Sequence, residues 1–481
     1  MNDDMERHQV IYNVIKTQIQ FGVYRLGDIL PTMKQAAGIF LVSLETIRFA
    51  YLRLQREGYI ILIKNAGSTV IKDYSEQELE ANIQIFFSGR KKALLDLSKS
   101  FRPLLSYAQW TGIKHAPGEI YHEMSQLGHD NSLEPYIALH HITQAYSSLE
   151  NELFFRLLWQ IFMFFEAPFF SIPGKPWSEY AIKEYAPRTM DLFLKQDWES
   201  LRELIYIGHE SFSHTVSRFY ETRITMPAKE EIPFTWCAYE KASQICYSLA
   251  MEILNAITRG QYPVDTFLPS LDKLSKEKQV SVSTIRRTIS LLNDVCATKS
   301  FKGVGTKVLS FDGTAENCDF TKPAVRKRLL DMAQSLQILT LSCHEVSLIT
   351  ISSLDTAGRQ DCIRHLSGIM ERQQYELITY CALDILKRYA PYQTIRTVYG
   401  ELLQQLFWGY PLRGIWKNDQ NKVRYYISCL ETFIRLLEEG DSRGFSDRLN
   451  ELLIHEFHFT IMNLVELGIS EASRLLIPDI S

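Results

Sequence analysis

The sequence predicts a mainly helical chain in which two small modules, each three helices and a β-hairpin, alternate with two all-helical bundles. Three observations carry this. A stretch of about fifty-six residues recurs at one constant offset. Each copy shows helical periodicity that gives way to a short hairpin pattern. After each copy come about 160–170 residues of helical periodicity.

Composition sets the frame. At 481 residues the chain has room for three to four domains on the usual prior of about 100–200 residues each. With 46% hydrophobic and 22% charged residues it is globular rather than disordered. The net charge of -4 argues against a generic polyanion binder, so the distribution of charge matters more than its sum. Eight cysteines without a C-x-x-C pair or zinc-finger spacing predict reduced, mostly buried thiols of an intracellular protein. The opening MNDDMERHQV is polar and acidic, unlike a signal peptide, and a cytoplasmic location is expected. The longest apolar stretch, Leu153 to Pro173, is interrupted by Arg156, Gln160 and Glu166. That predicts a buried helix and no membrane partner.

Residues 15–70 align with 253–308 without a gap at an offset of 238. Fifteen of the 56 positions are identical, where chance gives roughly one in sixteen. The identities fall on residues with local structural jobs: Gly22/Gly260, Leu30-Pro31/Leu268-Pro269, Val42-Ser43/Val280-Ser281, Thr46-Ile47-Arg48/Thr284-Ile285-Arg286 and Gly67/Gly305. This reads as duplication. The tails match loosely: Phe165-Glu166-Ala167-Pro168 against Trp408-Gly409-Tyr410-Pro411, and Asp197 against Asp441. Expected boundaries are 1–73, 74–235, 236–310 and 311–481, in the order module, bundle, module, bundle.

In the first module, Ile11, Val14, Ile15 and Ile19 mark a helix over Val10–Gln20 that Gly22 ends. Gly27-Asp28 makes a turn. Thr32 caps a second helix, with Gln35 completing a capping box. Ser43 caps a third helix to about Glu57, with Ile47, Tyr51 and Leu54 inward, and Gly58 stops it. Tyr59–Ile63 and Ser68–Lys72 read as strands around a tip at Lys64-Asn65-Ala66-Gly67. The second module repeats this: a helix from Ser248, then Gly260, Leu268-Pro269-Ser270, a helix from Ser281 to about Val295, and a hairpin around Lys302-Gly303-Val304-Gly305. Three helices and a hairpin are the winged helix-turn-helix plan.

That plan suits double-stranded DNA because the third helix presents its N-terminal residues to base edges in the major groove. Ser43, Glu45, Thr46 and Arg48 occupy that end in the first copy, and Ser281, Ser283, Thr284, Arg286 and Arg287 in the second. Thr32 and Lys34, or Ser270, belong to the second helix, whose N-terminal amides suit a phosphate. Lys64 or Lys302 rides on the hairpin toward the backbone or minor groove. Local charge agrees. Residues 10–72 hold eight Lys/Arg against three Asp/Glu, and residues 239–309 hold ten against six, which leaves the rest of the chain near -13.

These residues resemble the DNA-binding domain of the GntR family of bacterial regulators. The family pattern has Gly-Asp-x-Leu-Pro-Ser/Thr, then Val-Ser-Arg-x-Thr-Val-Arg, then Leu-x-x-x-Gly and a Gly-x-Gly wing. Here stand Gly27-Asp28-Ile29-Leu30-Pro31-Thr32, Val42-Ser43-Leu44-Glu45-Thr46-Ile47-Arg48 and Leu54-Gln55-Arg56-Glu57-Gly58. The second copy keeps Leu268-Pro269-Ser270 and Val280-Ser281-Val282-Ser283-Thr284-Ile285-Arg286, but has Val264-Asp265 at the turn and Cys296 where Gly58 stands. Both copies lack the family Arg after the Ser, having Leu44 and Val282. The tails resemble the all-helical, FadR-type sensor domain of one subfamily, through His140 to Leu153 and through Gly440-Asp441 to His455 and His458. The resemblance implies a transcription regulator responsive to a small-molecule effector.

Some sensors of this type hold a metal on an Asp and three His. Asp361 and His365 at i,i+4, with His455 and His458, are candidates, as are His122, His140, His141, His209 and His214. Neither tail supplies the whole set at family spacing, so no metal or cofactor is assigned. The aromatic run Phe154, Phe155, Trp159, Phe162, Phe164, Phe165, Phe169 and Phe170 reads as core or subunit interface ahead of an effector pocket. With no Gly-rich phosphate loop, G-x-S-x-G or H-E-x-x-H, no catalysis is expected. One chain with two heads is expected to act as an intrachain pseudo-dimer, with homodimerisation open. The alternative is a small-molecule sensor or protein-interaction scaffold whose heads have decayed, motivated by Leu44 and Val282.

Overall fold

The computed structural model describes residues 3–63, 67–118, 134–173, 185–238, 241–258, 260–310, 318–412 and 420–478. The chain is mainly helical. It divides into two compact units, Met1–Glu150 with Phe155–Thr235 and Asn151–Phe154 with Trp236–Ser481.

The first unit opens with helix α1, Asp3–Gln20, which Gly22 ends at φ +77°. It starts earlier than the apolar periodicity at Val10 suggests, because the mostly polar Asp3–Arg7 extend the helix toward the N-terminus. Helix α2, Met33–Phe40, carries the expected capping box: Thr32 accepts from the Gln35 amide and the Gln35 side chain accepts from the Thr32 amide. Leu41 turns the chain at φ 54° into Ser43, whose hydroxyl accepts from the Thr46 amide and starts α3, Leu44–Arg56. Strands β2, Ile60–Ile63, and β3, Gly67–Val70, pair antiparallel. A two-residue strand, β1 at Ile29–Leu30, joins the other edge of β3, an element the sequence pattern does not announce. Ile11, Ile15, Ile47, Ala50, Leu54, Ile60 and Val70 are fully buried, and the Tyr51 hydroxyl donates to the Pro31 carbonyl at 2.7 Å.

The rest of this unit is helical: α4, Glu76–Lys114, α5, Glu134–Ala145, α6, Glu152–Ile161 (in this unit from Phe155 onward), α7, Ala186–Leu194, and α8, Trp198–Thr222. Helix α6 runs on through a π turn at Phe162–Glu166 into Ala167–Phe170. The aromatic run is core rather than pocket. Phe162, Phe165 and Phe169 are buried, and Phe165 and Phe169 interlock with Phe87, Phe101, Phe212 and Phe219 from α4 and α8. Glu152–Phe170 has the length and composition to cross a membrane, yet 72% of it is buried in the fold, as a core helix would be. The core of the small module continues without a break into Leu139, Trp159, Phe162, Met163 and Ala167. At that seam the Trp159 indole donates to the Phe40 carbonyl at 3.0 Å.

The second unit contains α9, Lys241–Thr258, α10, Leu271–Lys278, α11, Val282–Asp294, and the antiparallel pair β4, Thr298–Phe301, and β5, Gly305–Val308. The last residue of α9, and both ends of every later element here, lie 238 residues beyond their counterparts in the first unit. Even the short edge pairing recurs, as a bridge from Phe267 to Lys307 where Ile29 meets Thr69. Left-handed backbone recurs at the same places: Asp265 (φ 66°) for Gly27, Gln279 (φ 53°) for Leu41 and Cys296 (φ 55°) for Gly58. The glycines missing from the second copy are thus replaced in residue type but not in conformation, and a non-glycine there carries strain. Helix α9 starts before the expected Ser248.

Beyond the hairpin lie α12, Pro323–Ser352, α13, Thr356–Glu371, α14, Ile378–Tyr389, α15, Gln393–Gln405, α16, Gln420–Glu439, and α17, Ser442–Glu466. Helix α17 packs along α12 as α8 packs along α4. Helices α8 and α17 are both 25 residues long. Asp197 and Asp441 cap them, accepting from the Ser200 and Gly444 amides. All eight cysteines are free thiols, seven of them buried.

Candidate nucleic-acid interface

In the first unit, packing of α3 on α1 turns Ile47, Ala50, Tyr51 and Leu54 inward and leaves Ser43, Glu45 and Arg48 exposed along the outer face. Arg48 Nη1 lies 3.3 Å from Glu45 Oε1, an exposed i,i+3 pair of the kind that contributes little to stability. Thr32 and Lys34 are exposed at the start of α2. Thr46 is placed differently from the others. It is fully buried, and its hydroxyl lies 2.8 Å from that of Ser43, so it completes the cap rather than facing outward. Lys64 lies outside the described residues.

In the second unit, Ser281, Ser283, Arg286 and Arg287 are exposed along α11, while Thr284 is half-buried with its hydroxyl 2.8 Å from that of Ser281. Ser270 caps α10 by accepting from the Lys273 amide, and the box is lost because Lys273 stands where Gln35 does. Lys302 is exposed at the hairpin tip. Among the described residues, Arg286 and Arg287 make no ion pair.

The structure shows Leu44, noted above at the family Arg position, on the outer face, and adds Phe49 and Leu52, which motif reading passed over. Leu44, Phe49 and Leu52 are 56%, 47% and 37% exposed on α3. They fall off the Ile47–Tyr51–Leu54 stripe, and that departure was the available signal. Arg53 and Glu57 are structural: Arg53 lies 4.1 Å over the Tyr12 ring and 2.9 Å from Glu57. Hydrogen bonds from Tyr12 and Arg53 hold the Glu57 carboxyl below its usual range.

The candidate metal ligands are dispersed. Asp361 accepts from Tyr389 and Arg364, and His365 lies 3.8 Å from Asp384, which Arg388 holds at 2.6 Å. The His455 ring lies against Tyr425 with Nδ1 3.5 Å from Glu456, and His458 is exposed. Burial draws His140 below its ordinary value against backbone hydrogen bonds at Ile39 and Gly38, and draws His141 down too. His209 packs on Phe101 with Nδ1 2.7 Å from Ser106 Oγ, and desolvation pushes it down to about 4. His214 is exposed, and His122 lies outside the described residues. Among the described residues, no three His, Cys, Asp or Glu side chains gather as a metal site.

Residues 7–70 match the family model for bacterial regulatory proteins of the gntR family. This stretch, with its capped helix pair and hairpin, has the helix-turn-helix arrangement and is similar to the DNA-binding domain of that family. No curated protein matches the chain. Among solved structures the chain is similar to a Streptococcus agalactiae GntR protein, with 15% identity over 44% of this chain and 99% of that one at a TM-score of 0.22. It is similar also to a putative transcriptional regulator GntR from Rhodococcus sp. RHA1, with 13% identity over 46% and 98% at 0.29. A GntR-family regulator from Pseudomonas syringae pv. tomato shows 15% identity over 48% and 89% at 0.20. At such scores these likenesses carry no argument, and the assignment of residues 7–70 rests on the family match.

Proposed function

We propose that the chain is a sequence-specific, effector-responsive transcription regulator that reads DNA with two winged helix-turn-helix heads, residues 1–73 and 236–310. The bundles 74–235 and 311–481 serve as sensor and assembly domains. One observation carries the reading: elements in residues 241–308 repeat, at a constant 238-residue offset, the elements of the GntR-family domain at 7–70. Base contacts are assigned to Glu45, Arg48, Ser283, Arg286 and Arg287. Thr32, Lys34, Ser43, Ser270, Ser281, Lys64 and Lys302 serve phosphate or backbone, with Thr46 and Thr284 bracing the caps. The head and bundle of the first unit share one core, so an effector that shifts the bundle would bias the head through the Trp159–Phe40 contact.

The test is fluorescence-polarisation binding to DNA upstream of the protein's own gene at two salt concentrations. The expected result is a specific complex that weakens steeply with salt. Arg48→Ala and Arg286→Ala should each weaken it roughly 5- to 150-fold, as the loss of a base contact does. Loss with Arg48→Ala alone would make the second head architectural. A folded protein with no specific binding would favour a second reading, an interaction scaffold with decayed heads. Leu44 and Val282 at the family Arg position, with Leu44 and Phe49 exposed beside it, favour that alternative.

A further inference from the structure

The two outer helix faces occupy equivalent positions yet offer different chemistry. On α3 the first residue, Leu44, is an apolar side chain 56% exposed on the outer face. Beside it Glu45 presents a carboxylate, with Arg48 3.3 Å away. On α11 the matching residues are half-buried Val282, exposed Ser283 and Arg286. Ser283 lies 2.7 Å from the Ser281 hydroxyl, and no acidic side chain stands where Glu45 would.

Base edges in the major groove give each set one complement. The apolar group there is the thymine methyl; a carboxylate accepts from the cytosine amine; a free guanidinium donates in parallel to guanine O6 and N7; a serine hydroxyl serves donor or acceptor. The geometry points to a divided recognition code. The first head reads a half-site with a thymine methyl under Leu44 and a cytosine amine under Glu45. The second reads a half-site with a guanine under Arg286 and is tolerant at Ser283. This rests on the two-headed reading above and names its specificity residues.

The test begins with selection of duplexes from a random pool by the full-length protein. The expected product holds two dissimilar half-sites. Repeating the selection with Glu45→Ser should relax the cytosine in one half-site only, which assigns that half-site to the first head. Replacing thymine by uracil there removes one methyl and should weaken wild-type binding about fourfold. The same replacement should leave Leu44→Ala unaffected. Arg286→Ala should relax a guanine in the other half-site, at about tenfold or more in affinity. Leu44, Glu45 and Arg286 are exposed, so these variants keep the core, which circular dichroism checks. Two identical inverted half-sites, or uracil and Glu45→Ser without effect, would overturn the divided code while leaving two heads in place. A pool that yields no specific duplex would overturn both readings.

Discussion

At the scale of the residue, Glu166 is a buried carboxyl, 8% exposed in the π turn that continues α6. Burial raises its carboxyl from the ordinary 4.5 to about 8, so the folded protein holds a proton that the unfolded chain releases. A carboxyl shifted this way contributes stability below about 4.5 and loses it as pH climbs toward 8. Thermal midpoints of wild type should therefore fall across that window. Glu166→Gln, neutral at every pH, should flatten the fall and melt higher than wild type at pH 8. Parallel profiles for the two proteins would sink the assignment. His209 has the opposite sense: with its pKa lowered to about 4, its contribution is full above the ordinary 6.5 and disappears as pH falls through that range. Neither site is legible from sequence. Glu166 reads there as a break in an apolar run and as part of a loose tail match, because the cost of a carboxylate depends on what surrounds it.

At the scale of the element, the starts of α2 and α3 are the best-defined features. Thr32→Ala removes a capping box and should cost about 1 kcal/mol by chemical denaturation. An unchanged denaturation midpoint would show that the box contributes nothing. Caps of this kind are readable because donor and acceptor sit three residues apart in the chain. The same locality makes the hairpins readable. Strand β1 escapes such reading, since two residues at Ile29–Leu30 become a strand only when β3 arrives beside them from forty residues on. The early starts of α1 and α9 escape it for another reason: their first turns lack the apolar spacing that marks a helix.

At the scale of the whole chain, the core of the first unit runs unbroken from its small module into its bundle, which predicts that the two fold as one body. Phe162 is fully buried in that core. Phe162→Ala should destabilise the unit by about 3–5 kcal/mol. Hydrogen exchange should show α1–α3 losing protection together with α4 and α8. Head amides that keep their protection while the bundle opens would mean that the shared core does not couple them.

The chain's own order of residues was enough for the 238-residue repetition, the three-helix-and-hairpin plan, the caps at Thr32, Ser43, Ser270 and Ser281, and the basic balance of residues 10–72 and 239–309. Each follows from rules that act over a few residues or from direct comparison of one stretch with another. Four things waited for the folded structure. Thr46 turned inward while Glu45 and Arg48 stayed outside. Asp265 and Cys296 took the backbone conformation of the glycines they replace. The aromatic run, readable as core or subunit interface, was settled as core, and Leu44, Phe49 and Leu52 were left partly exposed. All four depend on which surfaces meet, and burial is a property of residues brought together from distant parts of the chain.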